Sequence, residues 1–260
     1  MLTLQDFKAD FLNDVRTTAT SSNNLTEDSF FEIYTGHIID AGDLETADRC
    51  YFLSRGVRID GYAGDPIDTE NILTVIVSDF NDNPDLVEVN RQEISQICKR
   101  AVKFISNCLS TRFFRELDEY SDEYGLADLI RSRWESILKI RILFITTRLL
   151  KIRSSKFDPI PVNGKTAIFS CWDIARLSNF VQSNKDEEPI SVNLIEHGSS
   201  LSVLPAHNAD TSIRSYLCVM PGQVLGSIYD EYGTKLLEKN VRVFLQAKGK
   251  VNKGIRTTIE

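Results

Sequence analysis

The residues whose types and spacing suit chemistry most plainly lie near the end of the chain. Lys239, Arg242, Lys248, Lys250, Lys253 and Arg256 fall close together, and from Lys235 to Glu260 seven Lys or Arg face two Glu, a local balance of +5. The whole chain of 260 residues carries a formal charge of −7. Charge is therefore segregated, and a basic stripe of this kind can hold the phosphates of an anionic polymer, DNA or RNA. Gly249 and Gly254 would let a backbone approach closely. The same residues also read as the solvated face of a charged helix and loop. The acidic total argues against nucleic acid coating the whole surface and leaves room for a local basic groove.

Other chemistries find less support. Five Cys, at 50, 98, 108, 171 and 218, are odd in number and show no CxxC spacing, so they read as reduced thiols in a cytoplasmic protein. His37, His197 and His207 are scattered and none pairs with a Cys, so no zinc site is expected. Ser199 and Ser202 lie near His197, but no G-x-S-x-G elbow occurs. Lys165 follows Val162-Asn163-Gly164 without the glycines of a phosphate loop, so no nucleotide cofactor is expected. Met1 to Val15 lacks the basic start and apolar core of a signal peptide. The longest apolar run, Ile137 to Leu150, is interrupted by Lys139, Arg141 and Arg148 and is too short to span a bilayer. Acidic residues from Glu116 to Asp128, with Phe113, Phe114, Tyr120 and Tyr124, could form an interface, and a homodimer is plausible.

The elements that must position these groups alternate. Helical periodicity predicts helices over 2–17, 27–39, 87–109 and 113–134, the last broken near Gly125. Thr18 to Asn24 reads as a linker. Strands are expected at 50–54, 57–62, 72–80, 140–149, 167–172, 190–195 and 215–220, with helices at 174–181 and 223–240. Ile72 to Phe80 is the clearest strand, continuous and β-branched, so buried on both faces. The order predicts an α/β fold with a central mixed sheet flanked by helices, and a second, smaller α/β part. Loop residues between Ser154 and Lys165 suggest domains over 1–153 and 154–260, with the charged loop near Lys185 as the alternative boundary.

Specific strings carry a resemblance. Tyr216-Leu-Cys-Val-Met-Pro-Gly, Tyr229-Asp-Glu-Tyr-Gly, Leu236-Leu-Glu-Lys-Asn-Val-Arg-Val-Phe-Leu-Gln and Lys248-Gly-Lys-Val-Asn-Lys-Gly-Ile-Arg resemble the bacterial abortive infection phage resistance (AIPR) family. That family's later signature, an aromatic segment followed by Tyr-Asn-Asn-Gly, is expected after Glu260, so the chain is read as roughly the first half of such a protein. The family name implies arrest or death of the infected cell before phage mature.

The order helix, three strands, helix, strand over 26–150 also resembles the PD-(D/E)xK nuclease core, a restriction-endonuclease-like fold. That resemblance implies a metal-dependent nuclease. It assigns catalytic roles to Asp60, Asp79 and Glu32, with Mg²⁺ held by Asp60 and Asp79 to activate a water for phosphodiester attack. This chain departs from the pattern at the acid-x-Lys positions, where Val77 and Asp79 stand. The departure favours a second reading, a degenerate core that binds nucleic acid or a phage protein without cutting. The bland readings stand beside both: Asp60-Gly61 as a turn, Asp79 as a strand-end residue facing water, and Glu32 as a solvated helix residue.

Overall fold

A computed structural model of the chain describes residues 2–151, 157–182, 192–197, 200–206 and 214–232. Two compact units divide between Asp186 and Glu187. The first opens with α1 (Leu4–Ser22) and α2 (Thr26–Asp40). The Thr3 side chain caps α1 by accepting from Asp6 N at 3.2 Å, and Asn23 closes it in the left-handed conformation at φ 53°. The stretch read as a linker from Thr18 is therefore helical as far as Ser22. The helix pair buries Phe7, Phe11 and Val15 against Phe30, Tyr34 and Ile38, with Tyr34 edge-on to Phe11 at 5.7 Å and to Phe30 at 5.3 Å.

The sheet follows. Its strands are β1 (Asp48–Ser54), β2 (Val57–Tyr62), β3 (Ile72–Asp79), β5 (Lys139–Thr146), β7 (Ile160–Val162) and β8 (Lys165–Trp172), in the spatial order β1-β2-β3-β5-β8-β7. Two short strands, β4 (Glu88–Val89) and β6 (Leu149–Leu150), pair parallel beside it. In the main sheet β3, β5 and β8 run parallel, while β1, β2 and β7 add antiparallel at the margins. β3 and β5 stay in register over eight pairs, from Ile72↔Lys139 to Asp79↔Thr146. Both faces are covered, which is why these strands read as near-continuous β-branched runs.

One face packs against α3 (Arg91–Cys108) and α5 (Asp122–Arg133): Val75, Val77, Ile142 and Phe144 meet Ile94, Cys98, Ile105 and Ile130. The opposite face carries Ile76, Leu143, Ile145 and Trp172 against α1, α2 and α6 (Ile174–Gln182). Asn90 and Glu93 form a capping box at the start of α3, with both bonds at 3.0 Å. α4 (Thr111–Glu116) ends before α5, and the break falls at 117–121 and not at Gly125, which lies inside α5. The reason is capping: Ser121 accepts from Tyr124 N, and Asp122 and Glu123 fill the first turn. β8 hydrogen-bonds along β5, and residues 160–182 lie in the first unit.

In the second unit β9 (Val203–Ala206) and β10 (Ser215–Cys218) pair antiparallel, and α7 (Gly222–Tyr232) follows. Residues 194–197 form a turn where a strand over 190–195 was expected. No helix among the described residues is long and apolar enough to cross a membrane.

One glycine is fixed by packing. A Cβ on Gly61 would overlap the Phe31 ring and the Asp48 carbonyl oxygen, so β1, β2 and α2 close on each other only because the side chain is missing. Gly61→Ala is expected to cost about 1–3 kcal/mol through overpacking, read as a lower urea midpoint at unchanged slope. An unchanged midpoint would show that the contact relaxes freely.

Candidate functional site

The two strand acids are placed by β2 and β3, and each is already occupied. The β2–β3 ladder holds Gly61↔Ile76 and Tyr62↔Val75 and then stops. Beyond it, side chains take over the pairing. Ser78 N donates to Asp60 Oδ2 at 3.0 Å, and Arg58 Nη2 donates to the Ser78 carbonyl at 2.7 Å. Arg58 grips both Asp60 oxygens at 3.0 and 3.1 Å, and Arg49 adds a third contact at 3.6 Å while bonding Asp28 at 2.7 Å. The Asp60 side chain is 1% exposed. Two guanidinium groups thus compensate the buried charge, and the lone pairs a cation would need are spent.

Asp79 has its own partners. It shares the parity of Val75 and Val77, which pack toward α3, whereas Arg49, the partner of Asp60, lies over the Phe31 ring on the α2 side. Its Oδ2 accepts from Arg148 Nε at 2.7 Å and from Thr146 Oγ1 at 2.9 Å. Arg148 also bonds Glu93 at 3.2 Å. The capping bond from Asn90 N and the Arg148 guanidinium hold the Glu93 carboxyl below its ordinary range. The position where the nuclease pattern expects Lys therefore bears an acid matched by Arg148. Val77, where the pattern expects an acid, is fully buried in the apolar core. Glu32 lies exposed on α2, while its neighbour Phe31 points inward.

The expected Mg²⁺ set is not assembled. Asp60 and Asp79 are held by separate arginines, Glu32 lies exposed, and no group of three or more His, Cys, Asp or Glu that could hold a metal ion occurs among the described residues. The six basic residues Lys239, Arg242, Lys248, Lys250, Lys253 and Arg256 lie outside the described residues, as does His207.

Other polar groups were missed in sequence. Lys8 on α1 is wholly buried and donates to the Asp85 carbonyl at 2.8 Å; burial pushes its ammonium down, Asp85 opposes this and Arg148 adds to it. Tyr34 Oη lies 3.0 and 2.9 Å from the Trp172 and Asp173 carbonyls, tying α2 to the end of β8. Asp43, just past α2, meets Arg141 at 2.8 Å, Arg176 at 3.3 Å and the Trp172 indole N–H at 2.6 Å. In the second unit His197 Nδ1 lies 2.9 Å from Ser227 Oγ, and Nε2 lies 3.6 Å from Glu231. Ser227 sits mid-helix, where its own N–H is committed to the helix and cannot cradle an oxyanion. The imidazole is a tie along α7.

Two predictions follow from these ion pairs. Asp60→Ala leaves Arg58 and Arg49 uncompensated and unsplices β2 from β3; it is expected to lower unfolding free energy by roughly 3 kcal/mol, measured by urea titration, whereas a neutral outcome would contradict the structural role. At Asp43 burial favours the neutral form, but Arg141, Arg176 and the Trp172 bond outweigh it and hold the carboxyl below its ordinary range. A depressed acid stabilises the fold above its unfolded pKa, about 4, and that contribution is lost as pH falls through the folded value. Asp43→Asn is therefore expected to flatten the acid limb of the stability–pH curve; an unchanged limb would contradict this.

The comparisons fit the sheet domain. A family model described as the abortive infection phage resistance protein N-terminal domain matches residues 30–179, running from α2 through all six strands to α6. No curated protein matches the chain, and no solved structure does. The match covers more than half of the sequence and the whole central sheet, and the chain belongs to the abortive infection phage resistance family.

Proposed function

We propose that the sheet domain serves phage defence as a scaffold that holds a phage-derived or nucleic-acid ligand, and not as a metal-dependent nuclease. One observation carries this reading: the Asp60 carboxylate is buried between Arg58, Arg49 and the Ser78 amide. A hard divalent cation needs several free carboxylate oxygens at a common point. Asp60 would have to abandon two arginines to supply one, and Asp79 would have to abandon Arg148. Membership of the phage resistance family supports the defence role. The departure from the nuclease pattern at Val77 and Asp79 supports the loss of cutting.

The full chain, incubated with Mg²⁺ or Mn²⁺ and mixed DNA and RNA, is expected to release no product above a chelator control. Metal-dependent cleavage that disappears in Asp79→Ala, with folding intact by circular dichroism, would overturn the scaffold reading.

A further inference from the structure

Helix α3 turns a cationic face outward that no acid answers. After Glu93 it carries Lys99, Arg100 and Lys103 and no Asp or Glu. Lys99 and Lys103 are exposed and one turn apart, about 6 Å along the axis, on the scale that separates neighbouring phosphates of one strand. The β1–β2 hairpin brings a fourth cation alongside. Lys103 Nζ lies 3.9 Å from where a side chain on Gly56 would begin, and Arg55 is the adjacent residue of that two-residue turn.

The turn itself is unusual. Arg55 has φ 27° and Gly56 φ 79°, a left-handed pair for which Asn or Asp followed by Gly is the ordinary choice. An arginine there costs backbone strain and places a guanidinium at an exposed tip. Arg100 is half-buried, and its Nε is shielded from water without a hydrogen-bond acceptor. Elsewhere Arg49, Arg58, Arg141, Arg148 and Arg176 each meet a carboxylate. Among the described residues no side-chain hydrogen bond or ion pair engages Arg55, Lys99, Arg100 or Lys103. In a chain with 37 acids against 30 bases, four clustered and unanswered cations mark a surface kept for an external anion.

We infer that this face, α3 with the β1–β2 tip, binds the phosphate backbone of a nucleic acid. The inference rests on the scaffold reading and gives it a ligand. A membrane fits less well, because the apolar side of α3 is spent on the core and cannot enter a bilayer. The exposed positions Gln96, Lys99 and Lys103 include no aromatic residue on which a base could stack. Binding is therefore through charge, indifferent to sequence and steeply dependent on salt.

The test uses the full chain in chelator with fluorescein-labelled single-stranded and duplex oligonucleotides of about 20 nucleotides, titrated by anisotropy from about 50 to 200 mM salt. The wild type is compared with Lys99→Glu/Lys103→Glu and with Lys248→Glu/Lys250→Glu/Lys253→Glu. The α3 variant is expected to bind at least about tenfold more weakly, with its log–log salt slope shallower by about 2. Binding lost only in the second variant would overturn the α3 assignment and leave the scaffold reading standing. Absence of wild-type binding, or retention on anionic phospholipid vesicles in place of nucleic acid, would overturn it as well. Metal-dependent cleavage by the wild type would remove the scaffold reading without touching the α3 result.

Discussion

The sheet domain depends on how the chain handles one buried negative charge. Where the β2–β3 ladder ends, the strands are rejoined by Asp60, Arg58 and the Ser78 amide and carbonyl. The acid stands in for a missing backbone acceptor and the arginine for a missing donor. Removing either side leaves a charge in a place with little water, and that is what makes the arrangement costly to disturb. Arg49 extends the constraint through Asp28 to α2, whose Phe31 occupies the space left by the absent side chain of Gly61. Strand, strand and helix are fastened by the same few groups.

That fastening decides what chemistry is open to the site. In the metal-dependent nuclease pattern the strand acids must be free to take a cation, and a lysine must stand near the nucleophile. Here each strand acid already has its cation, supplied by the protein. Arg58 and Arg49 serve Asp60; Arg148 serves Asp79. Both strand acids are engaged in holding the fold, while Lys99 and Lys103 stand exposed on α3.

Much of the fold was legible in the sequence because buried strands and amphipathic helices announce themselves. β3 was readable since both its faces are covered, which demands an unbroken apolar run, and β5 was readable as a strand of alternating apolar and polar residues. The errors have physical causes. The break after α4 was assigned to Gly125, but a strong cap at Ser121 outweighs a mid-helix glycine. Ile160-Pro161-Val162 read as loop, yet β7 is an edge strand, where proline is tolerated. For the site, the positions of Asp60 and Asp79 on their strands are legible in the sequence, while most of their partners come from distant segments. Arg58 lies two residues before Asp60, on the same face by the period of a strand, and that spacing is present in the sequence. Arg148 and Asp43 reach their partners across 69 and 98 residues, and no local pattern reports such contacts.

Metal-dependent stabilisation tests the central claim directly. The thermal midpoint of the wild-type chain, measured with and without millimolar Mn²⁺ or Mg²⁺, reads cation binding without requiring a substrate, because a cation bound to the folded state alone must raise it. If Asp60 is committed to Arg58 and Arg49, the midpoint stays where it is. A rise on adding metal that vanishes in Asp60→Asn would show that the carboxylate is available to a cation, and would contradict the account.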